Sequence, residues 1–177
     1  MDKYSTFWPR FWAGLIDGLV LCPISIIDNY MYPPRVDKPL LVIWTIFSFL
    51  TYSTYSVLLH ARYGQTVGKK AMNIKVMNFG EDRLPSYGQA ILRDIGEVGP
   101  GFIGSAYLIF LILADRYSRE AISSNWVLIA LGFANLGWFV LELVTMLTNK
   151  KRRALHDLIA GTVVVRLELN SSTNSSL

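Results

Sequence analysis

The 177-residue chain has the length of one domain, is 52% hydrophobic and 17% charged, and has a mean hydropathy of +0.34, which is too apolar for a soluble domain of this size. Its net charge of +4 and pI of about 9.2 call for no nucleic acid, because basic residues flanking membrane spans account for them and the stacking aromatics of single-strand binders are missing. A single cysteine, Cys22, excludes an intrachain disulfide and says nothing of redox compartment.

Apolar runs of about 20 residues are long enough to cross a hydrocarbon core of roughly 30 Å. Four stand out, Phe11–Met31, Leu40–Leu59, Ile95–Ala114 and Trp126–Leu147. The expected fold class is therefore an all-α membrane protein, a bundle of about four transmembrane helices with a small cytoplasmic helix/strand element. It occupies residues 1–167, with an inner loop over 61–94 and a disordered polar tail over 168–177. The first run keeps Asp17 inside it and lacks a small-x-small exit, so it reads as a retained anchor rather than a cleaved signal. With a cytoplasmic N-terminus, 13 basic residues fall inside and four outside (Arg35, Lys38, Arg116, Arg119), which places both termini in the cytoplasm of a cell (inner) membrane protein.

Arg10 and Asp17 are seven residues apart, close to two helical turns, and so project from about one face roughly 10 Å apart along the axis. An aspartate at a helix centre costs about 3 kcal/mol in lipid, so Asp17 is expected to face protein, water or an ion. Gly14 and Gly18 flank it in a small-xxx-small pattern, and Pro23 frees a carbonyl near Leu19. After the proline-rich link YMYPPRVDKP, the second run carries Thr45, Ser48, Tyr52 and Tyr55 as a polar stripe that turns inward, for interhelical hydrogen bonding, for a transport path, or for both.

In the inner loop, Gly64 and Gly68 bracket a short helical turn, Asn73–Asn78 alternates like a strand, Phe79–Asp82 is a turn, and Ser86 caps a helix from Tyr87 to Asp94 along the membrane surface. The third run opens on DIGEVGPGFIG, whose glycines and Pro100 predict an irregular inner end around Glu97. The fourth run places Asn135, Trp138, Glu142, Thr145 and Asn149 on one face, with Glu142 as its carboxylate. Lys150–Arg153 then marks the interface, and ALHDLIAGTVVVRLEL reads as a helical turn, a stop at Gly161 and a strand over Thr162–Leu167 that pairs with Asn73–Asn78. That return brings Asp157 to the level of Arg10, whose side chain leans toward the helix N-terminus, and predicts a structural ion pair between them.

Asp17 and Glu142 both lie roughly 8–9 Å from the inner face at 1.5 Å per residue, a depth at which two carboxylates can share a proton or a cation such as Na⁺. The chain has two histidines, His60 and His156, no metal-ligand cluster, no nucleophile–base spacing above chance and no cofactor motif, so it is not read as an enzyme. Four helices make a thin transporter, which implies a homo-oligomer among membrane lipids.

Taken together, RFWAGLIDG at Arg10–Gly18, YGQTVGKKAMNIKV at Tyr63–Val76, the LRD before the third run and RALHDLIAGTVVV at Arg153–Val165 resemble the RDD family of small membrane proteins. The resemblance carries the family's arginine and two aspartates onto Arg10, Asp17 and Asp157, and its TxGK segment onto the basic pair Lys69 and Lys70. It implies an integral membrane protein that moves ions or small solutes, with monovalent cation/proton antiport as one candidate activity. The alternative is a non-transporting scaffold or assembly factor that uses its basic inner face. Reach of Asp17 from a cavity favours the carrier; burial of Asp17 against Arg10 or a hydroxyl favours the scaffold.

Overall fold

The computed structural model describes residues 3–31 and 36–167, with Arg119 described by its backbone alone. Part of the proline-rich link and the tail over 168–177 lie outside the described residues.

Four long helices form an up-down-up-down bundle: α1 (Phe7–Met31), α2 (Lys38–Tyr63), α4 (Tyr87–Leu113) and α6 (Trp126–Thr148). Each is long and apolar enough to cross a membrane. Around them run α3 (Val67–Ala71), β1 (Ile74–Asn78), α5 (Arg119–Ser123), α7 (Leu155–Ala160) and β2 (Thr162–Arg166). β1 and β2 pair antiparallel, from Ile74 opposite Arg166 to Asn78 opposite Thr162. This hairpin of distant strands, with α3 and α7, closes one end of the bundle, called here the hairpin end. At the far end the Lys38 ammonium meets Asp115 at 2.6 Å, fastening the start of α2 to the segment that leaves α4.

Burial is distributed unlike that of a soluble bundle. Ile74, Val76, Val163 and Val164 are fully buried, and Ile74, Val76 and Val164 cluster with Ala13 of α1 in a dry core at the hairpin end, while Leu41 and Ile112 are fully buried toward the far end. The long helices leave their apolar side chains outside, among them Leu19, Phe102, Trp126 and Phe133. Helices apolar on every side are solvated by lipid rather than by water.

The segment around Glu97 differs from the expected irregular entry. α4 is one unbroken helix from Tyr87 to Leu113, so the expected surface helix over Tyr87–Asp94 is its first two turns. Ser86 starts it with a reciprocal cap: Gln89 N donates to Ser86 Oγ at 3.2 Å and Ser86 N donates to Gln89 Oε1 at 3.1 Å. Gly96 does not end the helix; it makes room for Trp138, since a Cβ built there would stand 2.0 Å from the indole Cε2. In α1 the helix likewise continues through Pro23 to Met31.

Candidate functional site

Two polar assemblies lie within this frame. The first is the buried ion network that fastens α1, α4 and α7 at the hairpin end. Asp157 is wholly buried. Arg10 Nη1 donates to its Oδ2 at 2.5 Å, and Arg93 Nη1 donates to its Oδ1. Thr162 Oγ1 also donates to Oδ1 at 3.2 Å, and Ala154 N to Oδ2 at 3.1 Å, so the carboxylate additionally caps α7. Burial alone pushes the Asp157 carboxyl up, but the guanidiniums of Arg10 and Arg93 overcome it and hold it well below the usual carboxylate range. Sequence reasoning placed Arg10 opposite Asp157 and missed Arg93, which reaches the same carboxylate from a helix 64 residues earlier.

Asp17 belongs to this end of the molecule as well. Its carboxylate accepts from Tyr55 Oη at 2.7 Å, from Thr66 Oγ1 at 2.6 Å and from Gly68 N at 2.8 Å. Thr66 is the N-cap residue of α3, so Asp17 places a negative charge on that helix's free amides. The approach is close because Gly68 has no side chain: a Cβ there would lie 2.0 Å from the carbonyl oxygen of Ala13. Glu142, expected beside Asp17, instead accepts from Trp138 Nε1 at 2.8 Å and contacts His156 Nδ1. The two carboxylates share no partner among the described residues, because α3 supplies donors to one and α7 to the other. Burial, and next the charge of Arg93, lower the His156 pKa against the pull of Asp157 and Glu142.

The basic pair divides. Lys70 is exposed, whereas Lys69 is half-buried. Burial first and the charge of Arg93 next bring the Lys69 ammonium down to about 8, with Asp17 and Asp94 acting in the opposite sense.

The second assembly is a cavity of about 490 Å³ between α2 and α4, within the length of the membrane-crossing helices. Three carboxylates line it, Asp28, Asp94 and Glu97. Asp28, at the far end, accepts from Trp44 Nε1 at 2.6 Å and Ser48 Oγ at 3.1 Å. Asp94 faces His60, with Oδ1 3.7 Å from Nδ1, and its Oδ2 is buried without a hydrogen-bond partner, as is His60 Nε2. Glu97, one turn along α4, accepts no hydrogen bond among the described residues. Between these ends the wall is lined by the hydroxyl-bearing residues Thr45, Ser48, Tyr52, Ser53, Ser56 and Ser105, of which Thr45 donates to Leu41 O and Tyr52 bonds with Ser25 Oγ. Most of the polar stripe read on the second helix faces this space; Tyr55 turns away to Asp17. Asp94 was passed over in the sequence, although Asp94, Glu97, Gly101, Ser105 and Leu108 recur at helical spacing and all line the cavity. Asp17 and Glu142 are not among the lining residues.

Residues 4–161 match the model of the RDD family. The chain belongs to the RDD family. Over 125 residues this RDD protein is 24% identical to the uncharacterized membrane protein YteJ of Bacillus subtilis (strain 168), covering 67% of this chain and 74% of that one. Over 135 residues it is 27% identical to the uncharacterized protein YxaI of the same strain, covering 64% of this chain and 87% of that one. No solved structure matches it. It is a membrane protein in which Arg10, Asp17 and Asp157 make the contacts that dock α3 and α7 onto the bundle.

Proposed function

We propose that this RDD protein moves a monovalent cation or a proton through the cavity between α2 and α4, with Asp94 and Glu97 as the ion-binding carboxylates. The observation that carries the reading is a cavity within the length of the membrane-crossing helices that is lined by three carboxylates, of which Asp94 has its Oδ2 buried without a hydrogen-bond partner and Glu97 accepts none among the described residues. Ionisable groups are expensive there and persist where they bind or relay charge. Hard cations such as Na⁺ take oxygen ligands, and the hydroxyls of α2 stand on the wall opposite the carboxylates of α4. The hairpin end is the cytoplasmic one in this reading, in keeping with its excess of basic residues. A second copy of the chain would cover the outward faces of the helices, giving a homo-oligomer in the cell membrane.

Asp17 takes a different part. Its three donors satisfy it as a scaffold would require, so the scaffold reading describes Asp17, Arg10 and Asp157, while the carrier reading moves to Asp94 and Glu97. Antiport, with one site taking a cation and a proton in turn, is the finer form of the proposal. The test is purified protein in sealed vesicles under an imposed pH gradient with a panel of monovalent cations. Asp94→Asn and Glu97→Gln, at unchanged membrane abundance, are each expected to lower cation-dependent proton flux by at least about tenfold. Asp17→Asn is expected to lower abundance instead, leaving flux per folded molecule close to wild type. Full flux in both cavity variants would refute the assignment.

A further inference from the structure

A second cavity, of about 370 Å³, lies at the hairpin end where α1 begins and α6 ends. Its described lining consists of Ser5, Phe7, Trp8 and Pro9, with Leu147 from the last turn of α6, and two arginines, Arg152 and Arg166. None of these carries negative charge. The Arg166 backbone is tied down, its N donating to Lys3 O at 3.0 Å. Arg152 is a non-glycine residue at φ +47, in the left-handed region that side chains seldom adopt. That backbone is held from both sides: its N donates to Asn149 O at 2.8 Å, and its carbonyl accepts from Arg10 Nη2 at 3.1 Å. The guanidinium of Arg152 itself makes no hydrogen bond or ion pair among the described residues. A strained position maintained by the buried ion network thus presents a free cation beside an apolar wall.

We propose that this cavity is a binding site for an anionic phospholipid of the leaflet on the hairpin side, with the headgroup phosphate on the Arg152 guanidinium and the acyl chains against Trp8 and Leu147. Depth supports a lipid as the occupant. The cleft sits at the first turn of one membrane-crossing helix and the last turn of another, the level at which headgroups lie and interfacial tryptophans gather. Guanidinium groups suit a phosphate because they offer paired, planar donors and shed water more readily than an ammonium does. An apolar wall continuing into the lipid-facing surface through Trp8, which is 65% exposed, suits a molecule with a tail rather than a free anion. The site is separate from the cavity between α2 and α4 and does not depend on the carrier reading.

The full chain in neutral detergent can be titrated with dioctanoyl phosphatidylglycerol, dioctanoyl phosphatidylcholine and inorganic phosphate, reading the thermal unfolding midpoint. The anionic lipid is expected to raise the midpoint at roughly tenfold lower concentration than the zwitterionic one, and inorganic phosphate to leave it unchanged. Arg152→Asn, which keeps a residue tolerant of the left-handed backbone, is expected to bring the anionic lipid down to the level of phosphatidylcholine. Arg152→Gly, which also tolerates the left-handed backbone, serves as the second variant should the first fail to fold, with the same expectation. Equal response to the two lipids in the wild type overturns the proposal, as does an equal shift with inorganic phosphate or retention of the anionic preference in a folded arginine variant.

Discussion

Asp157 holds two guanidiniums in a space that water does not reach, and its removal would leave Arg10 and Arg93 facing each other there. Stripping one partner from a buried ion pair costs about 3–5 kcal/mol, whereas an exposed pair is worth at most about 1. Asp157→Ala is therefore expected to lower folded yield and thermal midpoint more than Arg10→Ala, which leaves the Arg93 pair standing. A charge swap, Arg10→Asp with Asp157→Arg, is not expected to recover the loss, because the new arginine would meet Arg93; recovery in that double variant would show that Arg93 is not part of the network. The pH dependence has a definite sign. The folded carboxyl titrates well below the 3.8 of an unfolded aspartate, so its contribution is complete above that value and is lost as pH falls toward the folded one. Thermal midpoints followed from neutral pH downward should hold steady as far as this group is concerned until pH reaches the ordinary aspartate value and fall from there, and Asp157→Asn should remove the acid-side fall that this group contributes.

At the level of elements, glycine separates what was legible in the sequence from what was not. The hairpin was readable because Asn73–Asn78 alternates and Gly161 stops a short helix; Gly161 indeed takes φ +62 after α7. Ser86 with Gln89 was readable as a helix start because capping is local chemistry. The continuity of α4 was not, because glycine counts against a helix by propensity while the use of Gly96 depends on Trp138, a residue 42 positions on that no local pattern reveals. The donors of Asp17 were hidden for the same reason, since Thr66 and Gly68 lie 49 and 51 residues away. The glycines accordingly differ in what a methyl group does to them. Gly68→Ala would drive a Cβ into the backbone carbonyl of Ala13, where no flexible side chain can give way. It should cost on the order of 3 kcal/mol and release α3 from α1, measured as lower thermal midpoint and faster proteolysis between α2 and β1. Gly99→Ala meets nothing within 4 Å and should be neutral or slightly stabilising by helix propensity. Equal loss in the two variants would contradict the close packing at Gly68.

Over the whole molecule, apolar composition and tight packing are assigned to different places. Exposed apolar side chains cover the long helices, a clustered dry core lies under the hairpin, and the carboxylate-lined cavity runs between α2 and α4 from Asp28 toward Asp94 and Glu97. The bulk numbers revealed the first of these, since hydropathy reports what lipid solvates. They were silent on the cavity, which exists only because two stripes, one on each helix, happen to face each other. Ser105 lines this cavity one turn beyond Gly101 and offers a position from which the proposed path can be probed. In a Cys22→Ser background, Ser105→Cys would be treated in sealed vesicles with a small cationic thiol reagent, and cation-dependent proton flux measured before and after. Labelling that abolishes the flux is the predicted result; complete labelling with the flux unchanged, or failure of the thiol to react from water at all, would contradict a path through this cavity.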